Sequence, residues 1–209
     1  MMKEIQIKII GLFSKQLDQE LTIHQIKNKL NRSYHYIYDN ASELIQQKML
    51  NKKKQGHSTV CSLNFKNEKT KALLILNSIE EKEHFLKKSL KPLFIKLINN
   101  LTSKIEIFSI ILFGSYAKGT ESKQSDIDLL IITEKKDKNK VIPREIQALE
   151  TTYGIEINPV ILTKKMFEGM LWAKAELNVG KEALANHIVL HGAECFWKLV
   201  LEVENERRG

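Results

Sequence analysis

Two apolar runs, Ile105 to Phe113 and Ile127 to Ile131, bracket a segment that opens with Gly114-Ser115 and closes on the alternation Asp126-Ile127-Asp128. The first run is short, β-branched and aromatic and stops at a glycine, which predicts a buried strand leading into a tight turn. A helix is expected over Ser115 to Lys118. Glycine lets the backbone approach a ligand closely, and the unpaired N–H groups of a helix start favour an anion, so Gly114 and Ser115 suit the phosphates of a nucleotide. Ser115 adds a hydroxyl. Strand side chains alternate, so Asp126, Asp128 and Leu130 fall on one face and Ile127, Leu129 and Ile131 on the other. Two carboxylates on one face are the oxygen ligands that a hard cation, magnesium or manganese, takes between a protein and substrate phosphates. Ions held in this way stabilise the attacking and leaving oxygens of phosphoryl or nucleotidyl transfer.

The spacing G-S, ten residues, D-x-D resembles the nucleotidyltransferases of the DNA polymerase β superfamily, and in particular the minimal nucleotidyltransferases, some of which act as antitoxins. By average residue usage, a chance match of this pattern in such a chain is expected at roughly a few per thousand. The resemblance implies an α/β domain, the α+β nucleotidyltransferase fold with a small mixed sheet and flanking helices. It implies Asp126 and Asp128 as metal-binding catalytic residues, Gly114 and Ser115 as nucleotide-binding, and Lys118 as a basic residue facing the triphosphate. Ser125, next to Asp126, reads as a hydrogen-bonder that closes the loop at the nucleotide site. A third carboxylate is implied on a neighbouring strand, expected within Gly154 to Thr163. There Glu156 and Asn158 share a face. Either Glu156 has become the third carboxylate and general base, or Asn158 occupies that position and the chain has lost it. Pro159 argues for an edge strand, where a missing ladder donor is tolerated. A P-loop is excluded: Gly114 and Gly119 have its spacing, but Thr120-Glu121 stand where Lys and Ser/Thr are required.

Charge is concentrated at the other end of the chain. Residues 1–66 hold 11 Lys and Arg against 5 Asp and Glu, a net of +6 out of +8 for all 209 residues. A helical pattern runs from Met2 to Leu17, Thr22 can cap a second helix through Leu30, and Ser33 a third running to about Met49. Ile37, Ala41, Leu44 and Ile45 mark the inner side of the third. Two short extended runs follow, joined through Lys54-Gln55-Gly56-His57. Three helices and a basic hairpin resemble a winged helix-turn-helix domain, which implies double-stranded DNA as a partner. Arg32, Ser33, Tyr34, His35, Tyr38 and Asn40 would then lie near DNA, and Lys52, Lys53, Lys54 and His57 would meet phosphates from the wing.

The expected organisation is a winged helix over 1–66, a helical connector over 67–102 with Pro92 at a helix start or kink, and a nucleotidyltransferase domain over 103–209. The connector could serve as a homodimer seam. Lys164 to Leu177 and Lys181 to Val203 have helical patterns. Within the second, His187, His191 and Cys195 recur every four residues; zinc is conceivable there, but without a second ligand cluster packed residues are the simpler reading. Lysine-rich 134–140 reads as a solvated loop, and Cys61 and Cys195 as buried thiols. No stretch has the ~20 apolar residues of a membrane span, and the N-terminus lacks the features of a signal peptide, so a cytoplasmic protein is expected. The expected activity is magnesium-dependent transfer of a nucleoside monophosphate from a nucleoside triphosphate to a hydroxyl. Its rivals are a nucleotide-sensing or DNA-binding regulator without catalysis, and antitoxin-like modification of a partner protein.

Overall fold

The computed structural model of the chain describes residues 2–87, 90–134, 140–173 and 177–208. Its contacts divide the chain into two compact units, residues 1–77 with 204–209, and residues 78–203.

The first unit is built from α1 (Glu4–Gly11), β1 (Leu21–Thr22), α2 (Ile23–Leu30), α3 (Tyr34–Gln46), β2 (Leu50–Gln55) and β3 (Ser58–Leu63). Local chemistry sets the helix starts. Thr22 accepts from the Gln25 N–H while the Gln25 side chain answers the Thr22 N–H, a closed capping box, and the Ser33 hydroxyl accepts from the Tyr36 N–H. Ile26 of α2 and Ile37, Ala41 and Leu44 of α3 are fully buried. The sheet is antiparallel in the order β1-β3-β2. Two expectations are corrected here. The helix expected to run to Leu17 ends at Gly11, because Phe13 and Ser14 bond the carbonyls three residues back and the Ser14 hydroxyl also donates to the Gly11 carbonyl. The short strand β1 was not foreseen; its two residues are fixed by pairing with Val60 and Cys61.

Next come α4 (Glu68–Phe85) and α5 (Lys91–Thr102), the latter with Pro92 in its first turn. The unit boundaries fall within α4 and within the last helix.

The second unit continues with β4 (Ile107–Phe113), α6 (Gly114–Lys118), β5 (Ile127–Thr133), α7 (Val141–Tyr153), β6 (Ile157–Leu162), α8 (Lys164–Trp172), α9 (Val179–Ala185), β7 (Ile188–His191) and α10 (Ala193–Arg208). Its sheet has the order β6-β5-β4-β7. β5 pairs antiparallel with β4 and parallel with β6, so the sheet is mixed, and β6, carrying Pro159, lies at an edge. Residues of β4 and β5 on one face, Ile110, Leu112, Ile127, Leu129 and Ile131, pack with Leu93, Phe94, Leu97 and Leu101 of α5 and with Ile142, Ile146 and Leu149 of α7. The chain thus forms two small sheets with flanking helices, one antiparallel and one mixed.

The helix expected from Lys181 to Val203 is a third correction. Ile188, Val189 and His191 pair with β4 instead, and the chain turns at Gly192 (φ +71), where a Cβ would overlap the Phe108 carbonyl oxygen. His187, His191 and Cys195 therefore do not line one helix. His187 is buried against Phe196 and Trp197, with ring centroids 5.0 and 5.4 Å away. No group of three or more His, Cys, Asp or Glu able to hold a metal occurs among the described residues. The expected helix from Lys164 ends at Trp172, and residues 135–139 of the lysine-rich loop lie outside the described residues. None of the described helices is long and apolar enough to cross a membrane.

Candidate active site

The antiparallel register of β4 and β5 sets Phe113 opposite Asp128, so the Gly114-Ser115 corner begins where the acidic alternation joins the sheet. Gly114 has a left-handed φ of +67, and a Cβ at this position would fall on the Asp128 carboxylate. Only glycine lets that carboxylate lie directly against the corner. From the corner α6 makes a single short turn of helix, closed at Gly119 with φ 69. Ser115 is partly exposed beside it.

Asp126 stands just before β5, one residue from Asp128, and both are partly exposed. The loop ahead of them is tied by Ser125, whose hydroxyl accepts from the Ser122 N–H at 2.9 Å. The Tyr116 hydroxyl donates to the Ser125 carbonyl at 3.5 Å. Ser125 thus closes the loop through both its side chain and its backbone.

Parallel pairing of β5 with β6 sets Asp128 opposite Asn158, and the Asn158 amide donates to an Asp126 carboxylate oxygen. Glu156 lies just before β6, where its carbonyl accepts from the Ile127 N–H at 2.9 Å and its side chain is exposed. Asn158 is therefore the side chain of this strand that touches the acidic pair, with Glu156 one pleat away toward solvent.

Burial, then the neighbouring Asp126, then Glu182 push the Asp128 carboxyl above the usual aspartate range, with Lys118 opposing them. Glu182, in the first turn of α9, escaped the sequence reading. No local motif marks it; only tertiary packing brings it beside Asp128. It forms an ion pair with Lys118 at 3.7 Å, so Lys118 is exposed near the corner yet shared with an acid. Burial, Glu121 and Asp126 likewise raise the Tyr116 hydroxyl.

These donors fit a divalent cation. Two carboxylates share a strand face, one of them is partly desolvated against the other's charge, and among the described residues neither makes a salt bridge. Such a pair lowers its free energy by binding a positive charge through oxygen.

In the N-terminal unit, Arg32, Ser33, Tyr34, His35 and Tyr38 are exposed at the start of α3, with Ser33 engaged as the cap and His35 lying 3.6 Å from Asp39. Asn40 is a correction: it is buried, and its amide donates to the Tyr36 carbonyl at 2.8 Å, so it does not face outward. Lys52, Lys53 and Lys54 are exposed on β2 and His57 at the hairpin tip, Lys53 being bonded to Glu20 at 2.7 Å.

A family profile described as a nucleotidyltransferase domain matches residues 95–177. A Methanocaldococcus jannaschii protein named "putative protein adenylyltransferase" is 30% identical over 122 residues, which is 51% of this chain and 80% of the relative. A second protein of that name from the same organism is 39% identical over 74 residues, 34% of this chain and 72% of the relative. A solved toxin-antitoxin structure with AMP-PNP superposes with a TM-score of 0.39 at 18% identity, over 55% of this chain and 86% of that one, a likeness too low to bear on function.

Proposed function

The chain belongs to the nucleotidyltransferase-domain family, and from that premise we propose that it transfers an adenylyl group from ATP to a hydroxyl of a partner protein. The carrying observation is the contact between the Gly114 corner and the Asp128 carboxylate, with Asp126 beside it. The names of the archaeal relatives support ATP as donor and protein as acceptor.

In the reaction the acceptor oxygen bonds the α-phosphorus, the bond from that phosphorus to the bridging oxygen breaks, and pyrophosphate leaves. Gly114 admits the phosphates to the backbone, the Ser115 hydroxyl bonds them, and Lys118 turns from Glu182 toward their charge. A magnesium or manganese ion on Asp126 and Asp128 would supply charge neutralisation for the triphosphate and the departing pyrophosphate. The acceptor proton goes to Glu156, an exposed carboxylate on the face that carries Asn158. Asn158 positions Asp126 through its amide, and an amide cannot take the proton itself.

That same amide favours a second reading, in which the site binds nucleotide without turnover and the N-terminal unit acts as a regulator. In both readings the N-terminal unit is a winged helix that binds DNA through Lys52, Lys53, Lys54 and His57, and a homodimer would present two copies of it.

ATP labelled at the α-phosphate, supplied with magnesium and candidate partner proteins, tests the transfer. Label is expected on protein, with none from γ-labelled ATP and none from Asp128→Ala. Absence of transfer above that control with all four common nucleoside triphosphates refutes catalysis, and metal-dependent ATP binding in that case establishes the second reading.

A further inference from the structure

We propose that the cleft between α3 and β2 in the N-terminal unit holds an unstacked base of a single-stranded nucleic acid, stacked on Tyr38 with its phosphate on Lys52. The proposal deepens the DNA-binding reading of this unit and rests on it.

The cleft has a volume of about 330 Å³, the lower end of the range seen for small-ligand pockets. Ile23 and Ile45 give it apolar walls, Tyr38 and Lys52 line it from α3 and β2, and Gln46 and Thr59 add groups that can both donate and accept. No carboxylate is among its lining residues. A nucleobase has these needs: a flat apolar face, polar edges and a nearby cation for the phosphate.

Tyr38 is 45% exposed and Tyr34 50%, high values for aromatic rings. Their rings lie 6.1 Å apart and 18° from parallel, a two-ring platform that continues out of the cleft. Bases stack on such platforms without regard to sequence, and each stacked base contributes appreciably to affinity.

Charge placement favours one strand over two. Lys52 and Lys54 share one face of β2, with Lys53 on the other face bonded to Glu20, whereas α3 supplies no Lys or Arg and carries Asp39 and Glu43. A helix seated in the major groove of a duplex has phosphates on both flanks. One row of cations beside an aromatic surface matches a single backbone with its bases turned inward.

Fluorescence anisotropy of the full chain with a labelled oligonucleotide as single-stranded DNA, as single-stranded RNA and as a DNA duplex of the same sequence tests this. Expected is tighter binding of a single strand than of the duplex, the DNA and RNA arms showing which sugar is preferred. Tyr38→Ala should weaken single-strand binding roughly 5- to 100-fold, while Tyr38→Phe, which keeps the ring, should stay within about twofold. Lys52→Gln should reduce the slope of log affinity against log salt by about 0.7. Duplex preference, or single-strand binding indifferent to Tyr38→Ala, overturns the cleft proposal and leaves nucleic-acid binding standing. Failure to bind any of the three overturns both.

Discussion

At the scale of single residues, the site depends on what Gly114 lacks. Gly114→Ala places a methyl where the Asp128 carboxylate sits, on a backbone with φ +67. The left-handed backbone alone costs about 1–2 kcal/mol, and displacement of Asp128 should abolish adenylyl transfer; thermal unfolding and the label assay read the two effects separately. The raised Asp128 carboxyl fixes a pH dependence. A folded-state value above the ordinary one means that the ionised form is disfavoured in the fold, so this group lowers stability as pH rises through that window. Falling pH protonates it sooner than an ordinary aspartate, so metal and nucleotide affinity should decline at a higher pH than for a solvent-exposed pair. Asp126→Asn removes a like charge and should lower the Asp128 titration, as followed by carboxyl NMR. Asn158→Asp puts a third carboxylate against Asp126. It should cost stability without metal and tighten metal binding while leaving turnover unchanged, because Glu156 already takes the proton; a rise of about tenfold or more would mean that Glu156 is not the base.

Individual elements differ in how far the sequence reveals them. β4 and β5 are continuous apolar runs bounded by a glycine and an acidic pair, buried on both faces of the sheet, and both were legible. The corner and the aspartates were legible for the same reason, since each is set by local alternation. β7 was not. Its four residues fit a helical period as well as a strand, and pairing with β4 decides the matter. The approach of Glu182 to Asp128 was hidden as well, because it depends on helix packing, and the strand offered both Glu156 and Asn158 until the parallel register set Asn158 against Asp126. The turn that ends β7 gives a test at this scale. In Gly192→Ala the Cβ would overlap the Phe108 carbonyl at φ +71, so a loss of more than about 2 kcal/mol in denaturant unfolding is expected. Thr22→Ala opens the capping box of α2 and should cost about 1 kcal/mol.

At the scale of the whole molecule, one chain carries both an acidic, metal-seeking corner and a basic N-terminal third that holds +6 of the net +8. Ligand linkage makes the first part measurable: magnesium and a non-hydrolysable ATP analogue at 100 times the dissociation constant should stabilise the fold by about 2.7 kcal/mol, and Asp128→Ala should erase the shift. The most direct test is a crystal grown with manganese and that analogue, with anomalous scattering used to locate the metal. The account predicts a manganese peak within about 2.2 Å of carboxylate oxygens of both Asp126 and Asp128, with the analogue's phosphates against Gly114 and Ser115. A peak bound elsewhere, or phosphates lodged away from that corner, would contradict it.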